Sequence, residues 1–554
     1  MNHDQTKTRW ASGLAACLVG AIGVWAFAED TPAGVAVPDL PDESLVETYR
    51  RAAIDNVLKA VNPRVFPGYF SVCADGQGFG YGNSYPSLDG HQMTDALLWL
   101  GQFDVARQNW DFVRSFQQAD GRLPLAILPS LAGQEIGSAE SKAVVAANGG
   151  LYEHWVPGNP LAALASPTYI QNADVIFRHT GDRQWLAAQI DSVNLAADYL
   201  ASLTTPEGMV RGGGYYVERP TRVTCDGVAQ CHAIDAFRRV AALNRLLGRD
   251  DTARRFEELA ARVAACFTRD FWAQTHFAEH WHPTRGFITS HGLTDVDWAA
   301  LATDSATPQQ REILWPQLRG ATEFYYGGMP TAISTRPNTY EDWEFTHPDR
   351  HDLASMGRVW YVECWARSRR QDAAGLLDTL RRVAREGSAN GYSWRERYYP
   401  SNTGAPVPAG AEKYCEYPAN FIRIVHQFLL GVDLRRDGSI VLAPNVADAF
   451  WDAGFGHVVR WPDAQLTFRL QRRRIVFQYV GRTELRLAVR CPGAGRDGVW
   501  TVAPGSANGG LHHEAGLLWM RVPPAPATSP SEIRLVAEAT SRQNTTPPIN
   551  ADDR

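Results

Sequence analysis

The feature that most constrains this 554-residue chain is a change of rhythm along it. From residue 41 to about 432, apolar positions recur at helical spacing, and Gly, Pro and Asp break the pattern into segments. It predicts helices near 43–60, 91–101, 104–118, 163–180, 183–203, 228–247, 251–268, 295–303, 307–319, 352–369, 371–387 and 415–431. Some joins are very short: Gly101-Gln102-Phe103, Thr180-Gly181-Asp182, Gly248-Arg249-Asp250, Thr303 to Ala306, and Arg370. Tight joins make antiparallel neighbours, so twelve helices become six hairpins. The links between hairpins, 61–90, 119–160, 204–226, 269–294, 320–351 and 388–414, are long and rich in Gly, Pro, Trp and Tyr. If the hairpins close into a ring, short joins line one rim and long links the other, and the long-link rim is where function is expected.

After Gly431 the period becomes two. Leu466–Leu470, Ile475–Val480, Leu485–Val489, Leu517–Val522 and Ile533–Val536 read as strands of a small β domain. The expected organisation is a helical toroid over 29–432, a small C-terminal β domain over 433–540 and a disordered tail over 541–554, with a leader over 1–28. Lys7 and Arg9, an apolar run from Leu14 to Phe27 and Ala26-Phe27-Ala28 have the layout of a secretory signal peptide, which predicts export to the periplasm or medium. The alternative is an uncleaved anchor over residues 10–28. No other segment has the apolar length of a membrane span.

Net charge is −6, from 54 Lys+Arg and 60 Asp+Glu, which argues against a nucleic-acid partner. Beyond the leader, cysteines stand at 73, 225, 231, 266, 364, 415 and 491, an odd number without the spacing of a disulfide framework or a zinc knuckle. Buried thiols are the expectation. No nucleotide loop, redox motif or metal-ligand set is present, so no cofactor or metal is expected.

The long links hold carboxylates beside aromatics. Asp226 lies just ahead of a helix; Asp295 and Asp297 lie beside Trp298; Glu341, Asp342 and Glu344 flank Trp343; Glu396 follows Trp394 and Arg395; Glu412 precedes Lys413 and Tyr414. Two carboxyl groups on one rim suit glycosidic cleavage, in which one protonates the leaving oxygen and the other activates water. Aromatic faces beside them suit sugar rings. An Asp immediately before a helix also serves as an N-cap, so Asp226 has a structural reading too.

Two motifs carry a resemblance. Gly327-Gly328-Met329-Pro330-Thr331-Ala332 followed by Tyr340-Glu341-Asp342-Trp343-Glu344-Phe345-Thr346-His347-Pro348 resembles the trehalase pattern of Gly-Ile-Pro-Thr leading to Gln-Trp-Asp-x-Pro. Glu412-Lys413-Tyr414 resembles that family's Glu-Lys-Tyr. The chain therefore looks like a six-hairpin (α/α)6 glycosidase, a superfamily that includes trehalases, glucoamylases, processing α-glucosidases and α-L-rhamnosidases. The resemblance implies an inverting glycoside hydrolase with Glu412 as general base and Asp226 as general acid, and Asp297 and Glu344 as the alternative acids. Glu344 stands where trehalases have Asp. It further implies an oligosaccharide or glycoside substrate; if the hairpins close into a ring, Asp89, His91, Trp155, Tyr216, Arg219, Trp298, Trp343, Trp394 and Tyr414 stand on the long-link rim as the expected sugar-binding residues. Two other classes fit a helical toroid: a polysaccharide lyase or sugar epimerase using Tyr and His for proton transfer, and a non-catalytic carbohydrate-binding protein.

Overall fold

The computed structural model describes residues 34–74, 88–123, 162–212, 224–344, 353–400, 404–492, 500–504, 506 and 510–537, with short strands at 126–127, 130–131, 134–135 and 151–152. The leader, the tail, and Trp155, Tyr216 and Arg219 lie outside the described residues.

Among the described residues, twelve helices form the first part: α1 (Glu43–Arg51), α2 (Leu88–Trp99), α3 (Phe103–Arg114), α4 (Ala162–Thr180), α5 (Arg183–Ser202), α6 (Gly227–Leu246), α7 (Asp250–Asp270), α8 (Asp295–Ala302), α9 (Pro308–Gly320), α10 (Gly357–Arg369), α11 (Ala373–Ala389) and α12 (Glu416–Ile424). Helices α1 and α12 run on into π-helical turns at Ala52–Val57 and Val425–Leu429, so the expected helices 43–60 and 415–431 each change winding near their C-terminal ends.

Six helices close a ring in the order α2, α4, α6, α8, α10, α12 and back to α2, and each is backed by one outer helix: α3, α5, α7, α9, α11 and α1 respectively. The sequences explain which helix goes where. Outer helix α7 buries one stripe, Ala253, Phe256, Leu259, Ala260, Val263 and Phe267, at spacings of three and four. Inner helix α6 is enclosed along its first three turns, from Gly227 to Phe237, because neighbours cover it on every side. Each of the five short joins contains one left-handed residue: Gly101, Gly181, Gly248, Asp304 or Gln371. That conformation ends a helix and turns the chain back at once. Asp182 starts α5 by accepting a hydrogen bond from the Trp185 N–H at 2.9 Å.

In the C-terminal region the described residues form ten strands: β1 (Val432–Leu434), β2 (Ile440–Leu442), β3 (Phe455–Arg460), β4 (Gln465–Gln471), β5 (Arg474–Val480), β6 (Leu485–Val489), β7 (Trp500–Val502), β8 (His512–Glu514), β9 (Leu517–Val522) and β10 (Ser531–Ala537), with a short helix, α13 (Asp448–Ala453), before β3. They make two five-stranded sheets, β3-β4-β5-β10-β7 and β1-β2-β6-β9-β8, antiparallel except where β2 meets β6. Strands that alternate over five residues or more are legible in the sequence, whereas the three-residue β1, β2, β7 and β8 are too short to show a period. The whole arrangement is a six-hairpin helical toroid followed by a small β domain. The two share a core: Leu45 and Tyr49 of α1 and Phe421 and Ile422 of α12 belong to one buried cluster with Phe468, Phe477 and Leu535 of the sheet. Asp39 and Gly456 of β3 exchange two backbone hydrogen bonds of 2.9 Å, which ties the start of the toroid to the sheet. Among the described residues, no helix is long and apolar enough to cross a membrane. Cys73, Cys225, Cys231, Cys266, Cys364, Cys415 and Cys491 are all buried thiols.

Candidate active site

Inner helices all run the same way, from the long-link rim to the short-join rim, so six N-termini converge on one end of the ring. Helix N-termini favour negative charge. Carboxylates stand at several of these heads: Asp89 on α2, Asp226 at the N-cap of α6, Asp295 and Asp297 on α8, and Glu416 on α12. Helices α6 and α12 are three places apart in a ring of six, so their heads face each other across the axis.

At the α12 head the groups are tightly coupled. Arg358, in the first turn of α10, places Nε 3.0 Å and Nη2 3.2 Å from the two oxygens of Glu416, and its backbone N–H donates to the same carboxylate. Both side chains are buried. Gly357 permits this approach, since a Cβ there would lie 3.0 Å from the Glu416 side chain. Burial pushes the Glu416 carboxyl up and Arg358 opposes the push. The Tyr414 hydroxyl donates to Asp89 at 3.1 Å. Burial first, and then the carboxylates of Asp89, Glu396 and Glu416, raise the Tyr414 pKa well above its ordinary value, so this hydroxyl keeps its proton. Glu396 completes the group: its Oε2 accepts from the Ala411 N–H at 3.1 Å and its side chain is 13% exposed. Gly410, at φ 73°, makes room for that oxygen, which would lie 2.4 Å from a Cβ. Glu412 is placed differently. Its side chain is 73% exposed and pairs with Arg395 at 2.8 Å.

Across the axis, Asp226 is fully buried and its Oδ1 caps α6 by accepting from the Val228 N–H at 3.0 Å. It pairs in register with His280, while Cys225 pairs with Trp281. Beside it, the Tyr340 hydroxyl donates to Glu279 at 2.9 Å, the Tyr340 ring stacks on His291 at 3.7 Å, and His291 Nε2 lies 2.9 Å from Glu344. Glu344 also accepts from the Glu341 N–H at 2.7 Å. Asp297 forms the capping box of α8 with Thr294, and its two oxygens accept from the N–H groups of Phe277 and Thr294, both at 2.8 Å. Burial pushes its carboxyl up to about 8, against those two hydrogen bonds and with help from Asp295 and Glu279.

The structure thus brings Asp89, Tyr414 and Glu396 together, and Asp297 and Glu344 near Glu279. Trp343 sits on the rim with Arg285 4.1 Å over its ring. Trp298 is fully buried under Arg367, and Trp394 is fully buried with its indole N–H on the Val383 carbonyl. His91 points into the ring axis, 2.7 Å from Asn172 and 3.3 Å from Arg423. His232 likewise lines the axis, beside Gln171. The sequence pattern singles out Glu396 without giving it a role and misses Arg358, Glu416, Glu279 and His291. For Arg358 and Glu416 no local signal exists, because the partners are 58 residues apart and only the ring brings them together. Among the described residues, no group of three His, Cys, Asp or Glu side chains is placed to hold a metal ion.

No protein-family profile matches the chain, and no curated protein matches it. Solved structures do. The chain is similar to the GH78 family rhamnosidase of Bacillus sp. GL1, with a TM-score of 0.59 and 12% identity over 82% of this chain and 42% of that one. It is similar to the α-L-rhamnosidase from Dictyoglumus thermophilum, with a TM-score of 0.56 and 11% identity over 91% and 50% of the two chains. A structure described as a sialidase gives a TM-score of 0.53 and 10% identity, covering 80% and 38%. The chain therefore spans half or less of these larger structures, and the likeness establishes the toroidal fold.

Proposed function

We propose that this chain is an inverting glycoside hydrolase acting on an oligosaccharide or glycoside. The observation that supports the reading is that Asp226, at the head of α6, and Glu396, ahead of α12, belong to helices three places apart in the ring of six. Glu396 is the better general base than Glu412. It is screened from bulk water, held by the Ala411 N–H and by Arg397 at 3.5 Å, and acts on Tyr414, whereas Glu412 pairs with Arg395 out in solvent. Asp226 is the proposed general acid. In the reaction a water between Glu396 and the anomeric carbon loses its proton to Glu396 as it attacks. The glycosidic bond breaks as Asp226 gives its proton to the leaving oxygen. Water must fit between base and sugar, so the two carboxyl groups should stand roughly 6.5–9.5 Å apart when substrate is bound. Asp89 and the protonated Tyr414 hydroxyl would hold sugar hydroxyls, and Trp343 would offer a ring face.

The likeness to two rhamnosidases and a sialidase puts α-L-rhamnosides and sialosides first in the substrate panel. The test is release of aglycone from aryl glycosides of several sugars, with proton NMR of the first product. Inversion at the anomeric carbon and loss of turnover in Asp226→Asn are expected. Retention of configuration would overturn the mechanism. The stacked His291–Tyr340 pair beside Glu279 supports a second reading, a lyase or epimerase using Tyr and His for proton transfer. An unsaturated, ultraviolet-absorbing product from polysaccharide, with no aglycone released from any glycoside, would establish that reading in place of hydrolysis.

A further inference from the structure

Along the ring axis, below the layer formed by Arg358 and His91, lies a cavity of about 480 Å³. It runs toward the short-join rim, where its lining comes from the last turns of α4 and α10 and from the segment around β1. None of the proposed catalytic groups lines it. Its walls are rich in arginine: Arg178, Arg238, Arg239, Arg358, Arg369, Arg423 and Arg436.

Five of these have carboxylates. Arg358 pairs with Glu416, Arg423 with Asp95, Arg239 with Asp174 and Asp235, Arg436 with Asp174, and Arg178 with Asp433. Seven guanidinium groups therefore face five carboxylates, and the excess falls on two residues at the mouth. Arg238 donates to the carbonyl oxygens of Thr303 and Asp304 at 3.0 and 3.2 Å and meets no carboxylate among the described residues. Arg369 makes no hydrogen bond or ion pair among the described residues, and its guanidinium lies 5.6 Å from the Trp365 ring. Both side chains are partly open to solvent, and Arg369 is partly enclosed by its neighbours. Burial lowers the pKa of Arg369, and Arg239, Arg238 and Arg311 push the same way. Asp235, the carboxylate that opposes them, is already taken up by Arg239 and Gln171. Histidines do not supply a counter-charge either: burial takes His91 and His179 down to about 4 and His232 to about 3, so all three are neutral at pH 7.

We propose that the short-join mouth of this cavity binds a phosphate group, held by Arg369 and Arg238. A planar guanidinium presents paired donors that match phosphate oxygens, and a dianion balances an excess of two positive charges. The group can arrive as inorganic phosphate or as part of a sugar phosphate. The cavity has room for a sugar, and aromatic side chains are part of its lining. The site lies at the opposite end of the helices from the proposed hydrolytic groups, and neither arginine belongs to them. Its test is therefore independent of that reading.

The experiment is isothermal titration of the full chain with inorganic phosphate and with a hexose phosphate, at constant ionic strength set by chloride. It is repeated on Arg369→Gln and Arg238→Gln, with folding checked by circular dichroism. Saturable one-to-one binding is expected, weakened about tenfold or more in each variant. Equal affinity for the two probes assigns the site to the phosphate group alone, and tighter binding of the hexose phosphate adds the sugar. No saturable binding of either probe, or unchanged affinity in both variants, overturns the proposal.

Discussion

The two ends of the toroid are made from the same six inner helices and differ in almost everything else. At the N-terminal end the helices are joined by long links, and carboxylates occupy the heads: Asp89, Asp226, Asp295, Asp297 and Glu416. At the C-terminal end one left-handed residue turns each short join, and arginines stand in the last turns, among them Arg178 and Arg369. Helix dipoles favour this sorting at both ends. What separates the ends functionally is how much chain each has to spend. A join of a few residues can only close a hairpin, whereas a long link can bring a carboxylate such as Glu396 against a helix head that is remote in sequence.

The largest effect should come from the two glutamates that one link places so differently. Glu396→Gln is expected to lower kcat on the best aryl glycoside by about 10³-fold, the scale of a lost general base. Glu412→Gln should leave kcat within a few-fold, because an exposed ion pair contributes about 0–1 kcal/mol. The reverse ranking would move the base to Glu412 and break the contrast between screened and solvated carboxylates.

Next in size is the pair beneath them. Arg358→Met strands the buried Glu416 without its cation, so a stability loss of about 3–5 kcal/mol is expected. Urea unfolding reads it. Arg369→Met at the other end has no partner to strand and should change stability by less than about 0.5 kcal/mol. Similar losses at both positions would mean that Arg369 has a structural partner after all.

Much of this contrast between the two ends is legible in the amino-acid sequence, and the reason differs by element. The ring is legible because its helices carry their own period and Asp182, Gly101, Gly181 and Gly248 mark their ends. The heads are legible only as a crowd of carboxylates. Asp226 is at once an N-cap and a rim carboxylate, and spacing cannot separate the two roles. Glu412 stands out through a three-residue motif, and its 73% exposure depends on how the link folds back over Ala411 and Gly410. Trp394 and Trp298 read as rim aromatics because they flank carboxylates, yet both turn inward and are wholly buried.

A third expectation concerns acid. His91, His179, His232 and His457 are buried with pKa values of about 4, 4, 3 and 3, below their unfolded value. The unfolded chain therefore binds protons that the folded chain refuses. This stability is present above about pH 6.5 and is lost as pH falls from there through 4 for His91 and His179 and through 3 for His232 and His457, at about 2 kcal/mol for each histidine by pH 5. His457 sits at the junction of toroid and sheet, its ring 4.5 Å from His426 and 6.0 Å from Tyr49. Replacing His457 with Asn should reduce the difference in urea stability between pH 7 and pH 5 by about 2 kcal/mol. An unchanged difference would place the acid sensitivity in other groups.

The smallest effects test the two kinds of connection directly, through two glycines with the same backbone demand. Gly181 in a short join has φ 64° and open space where a Cβ would go; Gly410 in a long link has φ 73° and Glu396 at that position. Placing alanine in the left-handed region costs about 1–2 kcal/mol at either site. For Gly181→Ala that is the whole effect: a modest fall in stability, with kcat unchanged. Gly410→Ala carries the same backbone cost and also forces the Glu396 carboxylate away from its hydrogen bond with Ala411. Even a small displacement of a general base slows the reaction, so kcat should fall about tenfold with little further loss of stability. Equal kcat in the two variants would show that Gly410 shapes only the turn, and would remove the argument that the link is built around Glu396.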